Sequence, residues 1–293
     1  MSQATAADAD FLDRQYNVRK LVPEFASYVA RWQDVAHEAR KRVREARGNL
    51  RVWLNLPYGP TPIERLDLFQ APGKSNPLLI FVHGGYWRAP GKEDFSWVAP
   101  PYLAEGISVA VIDYGLLPDT PLMRIVEQVR RACAWLYHNA RVLEIDRERM
   151  VCSGHSAGGH LAAMMLVTDW PGAWPEFPRR LLSGVVTVSG LFDLEPLTRA
   201  EFIRDDLRLD PVLTRALSPA YLQLRNDVPL LRAVGAGESE EFHRQSALIA
   251  EHWPQACQRP MIEMRGCNHF SVCDALGDPD SVLFQETAGL LSR

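Results

Sequence analysis

The sequence has little of what marks several classes of protein. It carries five cysteines in 293 residues, an odd number without the spacing of a metal site, so we expect reduced thiols and no metal or other cofactor. The formal net charge is −4 with both signs interspersed, which argues against nucleic acid as a partner. These absences leave a protein that acts on a small molecule as the simplest expectation.

Long apolar runs are also missing. No stretch approaches the ~18 apolar residues of a membrane span, so no membrane partner is expected. The first ten residues are polar and acidic, unlike a signal peptide, and we therefore predict a cytoplasmic protein. Hydrophobic residues nevertheless make up 47% of the chain, which is ample for a sizeable core.

Strand and helix signals alternate along most of the chain. Apolar strand patterns are found at 51–56, 65–69, 77–82, 107–112, 150–152, 185–189, 229–234 and 260–264. From residue 77 onward helix-like segments separate them, which is typical of a mainly parallel sheet covered by helices on both faces. We therefore predict an α/β fold in one domain spanning residues 1–293.

Two segments fall outside this alternation. Apolar residues recur at helical spacing from Phe25 to Ala36, which predicts that residues 1–48 form a helical arm packed on the main domain. The mixed-charge segment of about 193–227 is long for a crossover between strands. We interpret it as helical, forming a partial lid over the site.

The most informative motif is Gly154-His155-Ser156-Ala157-Gly158. It lies between a strand signal and a helix-like run, the setting of a nucleophile elbow, whose tight turn needs very small neighbours around the serine. The same five-residue pattern also arises by chance in loops. In this setting it predicts that Ser156 is a nucleophile at the N-terminus of a helix.

A second glycine motif, His83-Gly84-Gly85-Tyr86-Trp87, follows the strand signal at 77–82. Such a loop can turn its backbone amides toward a reacting carbonyl, and the amide after the nucleophile adds another donor. We predict an oxyanion hole formed by Gly85, Tyr86 and Ala157. The simpler alternative is an ordinary glycine turn.

A serine nucleophile needs a general base, which in α/β-hydrolases follows it in the chain. Of the later histidines, His160 falls on the elbow helix, and His243 and His252 fall on another helical run. His269 alone follows a strand signal and a loop, so we predict that it is the base.

The acid that orients the base has two candidates at strand ends. Glu238 follows the strand at 229–234, and Asp193 follows the strand at 185–189. Functional groups collect beyond the carboxyl ends of parallel strands, so both are suitably placed. The order of the triad favours Glu238, and Asp193 stays open as the alternative.

These motifs, together with Glu238-Ser239-Glu240-Glu241-Phe242-His243-Arg244-Gln245-Ser246, resemble the kynurenine formamidase (arylformamidase) branch of the α/β-hydrolase fold. The likeness covers nearly the whole chain, from Arg31-Trp32 in the arm to Asn268-His269-Phe270. Two departures stand out, since Glu238 replaces the family's usual Asp and Gly159 stands where Ala is common.

The resemblance implies a serine hydrolase that converts N-formylkynurenine to kynurenine and formate in tryptophan breakdown. Its aromatic substrate would contact Tyr86 and Trp87, with Tyr114 and Phe192 as weaker candidates. Members of this branch tend toward homodimers, although the oligomeric state stays open. A carboxylesterase for small acyl groups is the main alternative, and a hydrolase-fold binding protein with a silent triad is a third.

Overall fold

The computed structural model describes residues 6–45 and 50–292, with the side chains of residues 6–9 excepted. The ends of the predicted arm, residues 1–5 and 46–48, lie outside the described residues. None of the described helices is both long enough and apolar enough to cross a membrane.

Within the described residues, eight strands form one sheet in the order β1-β2-β4-β3-β5-β6-β7-β8. Among the strand pairs of residues 50–292, only β1–β2 and β2–β4 are antiparallel, so the predicted mainly parallel sheet is confirmed. The strands are β1 (Arg51–Pro57), β2 (Arg65–Gln70), β3 (Asn76–Val82), β4 (Ser108–Ile112), β5 (Ile145–His155), β6 (Gly184–Val188), β7 (Leu230–Gly235) and β8 (Ile262–Met264).

The central strands are covered on both faces. Every residue of β4, β6 and β7 is buried. Because successive side chains of a strand point to opposite faces, continuous burial means that both faces pack against other elements. This explains why these strands read as unbroken apolar runs in the sequence. Strand β5 begins earlier than its apolar pattern predicts. The pattern does not show the first part of the strand because residues 146–149 are polar and partly exposed.

The helices flank and connect these strands. They are α1 (Ala6–Tyr16), α2 (Val18–Leu21), α3 (Phe25–Glu45), α4 (Ala99–Ala104), α5 (Leu122–Asn139), α6 (Ala157–Leu166), α7 (Trp170–Ala173), α8 (Arg204–Leu207), α9 (Pro211–Ala216), α10 (Glu240–His252), α11 (Ser271–Asp274) and α12 (Val282–Leu291). The elbow helix α6 is buried along its whole length and packs against β5 and β6, so its N-terminus is fixed at the carboxyl edge of the sheet.

The first three helices precede the sheet in the chain. Helix α3 buries Trp32, Ala36, Ala39 and Val43, a spacing of three or four residues that places them on one helix face. That face packs along the 3₁₀ segment at 92–98. The helical spacing predicted for this segment is confirmed.

The segment at 193–227 consists of short helical pieces, including α8 and α9 and 3₁₀ turns at 196–198 and 219–221. Arg88 ties it to the glycine loop, because the guanidinium donates to the Asp206 carboxylate at 2.8 Å and to the Phe202 carbonyl at 2.9 Å. The segment therefore lies beside the predicted site.

Candidate active site

Ser156 lies at a strained turn between β5 and α6. Its backbone has φ 56° and ψ −118°, a conformation that costs a non-glycine residue free energy, and its amide donates to the Val188 carbonyl at 2.7 Å. Strain of this kind persists only where the surrounding structure enforces it. The turn predicted from the Gly-x-Ser-x-Gly motif is therefore present.

The two motif glycines are required by close backbone approach. A Cβ at Gly154 would lie 2.1 Å from the Gly158 carbonyl oxygen, and a Cβ at Gly158 would lie 2.0 Å from the Val82 carbonyl oxygen. Gly159 is less constrained, since its nearest neighbour would be the Gly190 Cα at 3.0 Å. The motif glycines are thus required by the close packing of the elbow on itself and against the end of β3.

His269 and Glu238 form a buried hydrogen-bonded pair. Nδ1 of His269 donates to Oε2 of Glu238 at 2.6 Å. Glu238 also accepts from the Ser189 hydroxyl and from the Gly235 amide. Burial opposes ionisation, but His269 and these hydrogen bonds hold the pKa of Glu238 below its usual value. The pair therefore combines a charged carboxylate with an imidazole whose Nδ1 is occupied.

The alternative acid, Asp193, lies elsewhere. Its carboxylate accepts from the Glu195 amide at 3.1 Å and lies 3.5 Å from the Arg244 guanidinium. The loop that carries it is held by Gln245, whose Oε1 accepts from the Asp193 amide at 2.8 Å. The structure thus brings Glu238, and not Asp193, to the imidazole of His269.

Ser156 and His269 line one cavity. The hydrogen bonds found among residues 6–45 and 50–292 do not include one between the serine hydroxyl and the imidazole. Such bonds are often long or misaligned in a free enzyme and tighten with substrate bound. The arrangement leaves the serine accessible from the cavity.

The histidine inside the elbow positions the His269 backbone. Nε2 of His155 donates to the His269 carbonyl at 2.8 Å. Burial, with a smaller contribution from the nearby His269, lowers the pKa of His155 to about 3, so its ring is neutral. The residue before the candidate nucleophile thus holds the main chain of the candidate base.

Two backbone amides of the cavity lining, and a third at the start of α6 next to Ser156, have free donors. The amides of Gly85, Tyr86 and Ala157 have no hydrogen-bond acceptor among the residues that the structure describes. Gly85 and Tyr86 both have positive φ, at 93° and 51°, which turns this loop away from regular structure. Unpaired amides beside a nucleophile are suited to binding a developing oxyanion.

His83 stabilises the glycine loop through hydrogen bonds and ring stacking. Its Nδ1 donates to the Gly84 carbonyl at 3.0 Å, and the Tyr114 hydroxyl donates to the His83 carbonyl at 2.7 Å. The two rings stack with centroids 4.2 Å apart. Burial lowers the pKa of His83 to about 4. Tyr114 is thus part of the loop's support and not of the cavity wall.

The two aromatic residues of the loop differ in position. Tyr86 lines the cavity, and its hydroxyl donates to the Tyr16 carbonyl. Trp87 is fully buried and packs edge-on against His160, with ring centroids 5.1 Å apart. Trp87 is not among the residues that line the cavity, and its contact with substrate stays a prediction. Phe192 is also fully buried.

The cavity has a volume of about 280 Å³, and six phenylalanine, tyrosine and tryptophan residues are among those that line it. Much of the wall comes from the N-terminal helices, including Phe25, Val29 and Trp32, and Phe202 adds a further ring. The helical spacing of Phe25 and Trp32 was the signal for these residues, but it predicts a packed face and not a cavity wall.

Comparisons with known proteins identify similar hydrolases. The sequence pattern of the BD-FAE family matches residues 66–204. Kynurenine formamidase from Salmo salar is 29% identical over 298 aligned residues, which cover 97% of each chain. Esterase LipC from Mycobacterium tuberculosis is 30% identical over 59% of this chain and 48% of its own length.

A solved structure from Silicibacter sp. TM1040, described as that of a thioesterase candidate, has a TM-score of 0.82 with this chain at 33% identity. It covers 96% of this chain and 99% of its own length. The similarity therefore extends over the N-terminal helices as well as the sheet.

Proposed function

This chain belongs to the kynurenine formamidase branch of the α/β-hydrolase fold, and we propose that it is a serine hydrolase that removes a formyl group from an aryl amide, with N-formylkynurenine as substrate. The observation that carries the proposal is the buried His269–Glu238 pair, whose histidine lines the same cavity as a strained Ser156. Kynurenine and formate are the products.

In the first step Oγ of Ser156 attacks the formyl carbon while Nε2 of His269 takes the hydroxyl proton. Glu238 fixes the tautomer of His269 and stabilises the imidazolium that forms. The amides of Gly85, Tyr86 and Ala157 hold the oxyanion, and loss of one such donor typically costs about 2.7–4 kcal/mol of transition-state stabilisation.

Collapse of this intermediate breaks the carbon–nitrogen bond. His269 returns the proton to the departing aryl nitrogen, which leaves as the neutral amine. Water then attacks the formyl ester on Ser156, His269 takes a proton from it, and formate leaves as Oγ regains its proton. The residues return to their starting state, so no redox partner is consumed.

The aromatic walls support an aryl leaving group. Phe25, Trp32 and Phe202 surround the cavity, and offset contacts between aromatic rings add about 0.5–1.5 kcal/mol beyond burial. Tyr86 lines the cavity together with Ser156, and its ring would limit the room for the acyl group. A small acyl group is therefore the better fit.

The proposal extends to the setting of the reaction. A substrate derived from tryptophan assigns the enzyme to tryptophan catabolism. We further propose that it acts in the cytoplasm and that it forms a homodimer, as the branch it belongs to suggests. Light scattering coupled to size-exclusion chromatography measures the oligomeric state directly.

The test compares purified wild type with Ser156→Ala on N-formylkynurenine and on a series of phenyl esters from acetate to octanoate. We expect the highest kcat/KM on N-formylkynurenine, a steep fall as the ester chain lengthens, and no activity in the variant. A fluorophosphonate probe should label only the wild type, and Ser153→Ala serves as a buried-serine control that stays labelled.

If the purified protein shows no formamidase activity but rapidly hydrolyses butyrate and longer esters, the proposal is wrong and the protein is a carboxylesterase. The similarity to an esterase over 59% of the chain makes this the second candidate. Equal probe labelling of wild type and Ser156→Ala would overturn both.

A further inference from the structure

The charged side chains around the cavity are all of one sign. Arg19 from α2 and Arg88 from the glycine loop line it, and no carboxylate does so among the residues that the structure describes. A neutral aryl formamide has no need of a guanidinium. The cavity therefore carries a charge that its proposed chemistry at Ser156 does not use.

Arg88 is already engaged by the protein. Its guanidinium pairs with Asp206 at 2.8 Å and donates to the Phe202 carbonyl. Because its charge is balanced and its geometry fixed by two acceptors, this arginine holds the segment at 193–227 in place. It is a poor candidate for a ligand.

Arg19 differs in each respect. It is exposed, and its guanidinium lies over the ring of Phe25, 5.3 Å from the ring centroid. No ion pair to Arg19 is found among the described side chains, although the adjacent Lys20 pairs with Asp13. Stacking on a second cavity residue limits the orientation of the guanidinium while its N–H donors stay free.

We propose that Arg19 binds a carboxylate on the substrate, at the end remote from the scissile carbonyl, and so selects acidic aryl formamides over neutral ones. This inference rests on the proposed function. A planar guanidinium can bind a carboxylate through two parallel hydrogen bonds, and N-formylkynurenine carries such a group on its amino-acid side chain. Phe25 and Trp32 would then lie along the aryl ring between the two polar ends.

The test measures kcat and KM for a matched pair of substrates. N-formylkynurenine is compared with 2′-formamidoacetophenone, which keeps the aryl formamide and the ketone but lacks the amino-acid end. In Arg19→Gln we expect KM for N-formylkynurenine to rise about tenfold, the size expected for losing a hydrogen bond to a charged group at an exposed position. The kcat for both substrates and the KM for the neutral one should stay within about twofold.

Two further variants sharpen the result. Arg19→Lys keeps the charge but loses the planar fork, so its KM should lie between those of wild type and Arg19→Gln. Lys20→Ala is the matched control, because that exposed cation belongs to the same helix but is not part of the cavity wall. It should behave as wild type.

The two proposals fail in different ways. Hydrolysis of both formamides with identical KM values in wild type and Arg19→Gln would overturn the role of Arg19 and leave the formamidase intact. If neither formamide is cleaved, the proposed function fails, and the same comparison is made with phenyl acetate and 3-(2-acetoxyphenyl)propanoate. A rise in KM confined to the acidic ester would still support Arg19, and no difference between the esters would overturn it.

Discussion

The indole Nε1 of Trp32 donates a 2.6 Å hydrogen bond to the carboxylate of Asp274. Asp274 ends the short helix that follows His269, so this bond joins the N-terminal helices to the segment that carries the candidate base. Trp32 also packs against Phe270, with ring centroids 6.1 Å apart. The wall of the cavity and the position of His269 therefore depend on the same contact.

Replacing Trp32 with Phe should separate the hydrogen bond from the ring packing. Losing a bond to a carboxylate costs about 1.5–3 kcal/mol, and a domain of this size loses about 2–4 °C in Tm per kcal/mol. Thermal unfolding should show that decrease, together with a lower kcat/KM. Trp53→Phe is the control, since Trp53 lies half-exposed on the edge strand β1. Equal shifts in the two variants would contradict the role given to this bond.

The choice of acid predicts a large difference between two conservative variants. Glu238→Gln should lower kcat by about 10³–10⁴-fold, because an amide no longer enforces the productive tautomer of His269. Asp193→Asn should lower it by less than about tenfold, since Asp193 faces Arg244. Steady-state kinetics on both variants, with circular dichroism to check folding, measures this. A reversed ranking would assign the acid to the loop after β6.

Buried neutral histidines predict sensitivity to acid. Burial lowers the pKa of His83 and His160 to about 4 and that of His155 to about 3. The unfolded chain, in which histidine titrates near pH ~6.5, binds more protons as the pH falls below that value. The free energy of unfolding should therefore be full above pH ~6.5 and decline toward pH ~4, by up to about 1.4 kcal/mol per pH unit for each histidine.

His160→Gln isolates one of these groups. Nε2 of His160 donates to the Leu217 carbonyl at 2.8 Å, a bond that a glutamine amide can replace. Urea unfolding from pH 7 to 5 should give a shallower pH dependence for this variant than for wild type. The exposed His138 provides the comparison, and His138→Gln should keep the wild-type slope. Identical slopes in all three proteins would rule out this source of acid sensitivity.

Alanine substitutions at the adjacent elbow glycines Gly158 and Gly159 should differ in their effect on stability. Gly158→Ala places a methyl group 2.0 Å from the Val82 carbonyl oxygen, so it should destabilise the fold by about 3 kcal/mol or more. Gly159→Ala gains up to about 1 kcal/mol of helix propensity, offset by a 3.0 Å contact with Gly190, and should be neutral within about 1 kcal/mol. Chemical denaturation of both variants tests this, and similar destabilisation would show that the elbow tolerates no bulk at either position.

The parts of the site that the sequence predicts are those set by local geometry. Gly154 and Gly158 are needed because a Cβ at either position would collide with backbone atoms, in one case of a residue nearby in the sequence and in the other of the neighbouring strand. This requirement is visible in the sequence as the glycine motif. Ser156 and its strained turn follow from the same short stretch. The buried strands were equally visible, since burial on both faces requires an unbroken apolar run.

Other features depend on contacts between distant segments. The loop motif does not say which way its aromatic residues point, so it does not predict that Tyr86 lines the cavity while Trp87 is buried in the core. The spacing of Phe25 and Trp32 identified a packed helix face but not the cavity it encloses. The paths of two loops determine that Glu238, and not Asp193, contacts His269. The order of the strands alone does not predict these paths.

The bond from the Tyr86 hydroxyl to the Tyr16 carbonyl joins the glycine loop to α1, and the Tyr16 hydroxyl in turn donates to Glu241 at 2.5 Å. Terminal helices of a domain commonly open at a lower free-energy cost than its central sheet. Each local opening of α1 would therefore release the side chain of Tyr86, whose amide is a candidate oxyanion donor, while the sheet stays folded. The fraction of molecules able to turn over is then coupled to this opening equilibrium, and heating would reduce activity before the sheet itself unfolds.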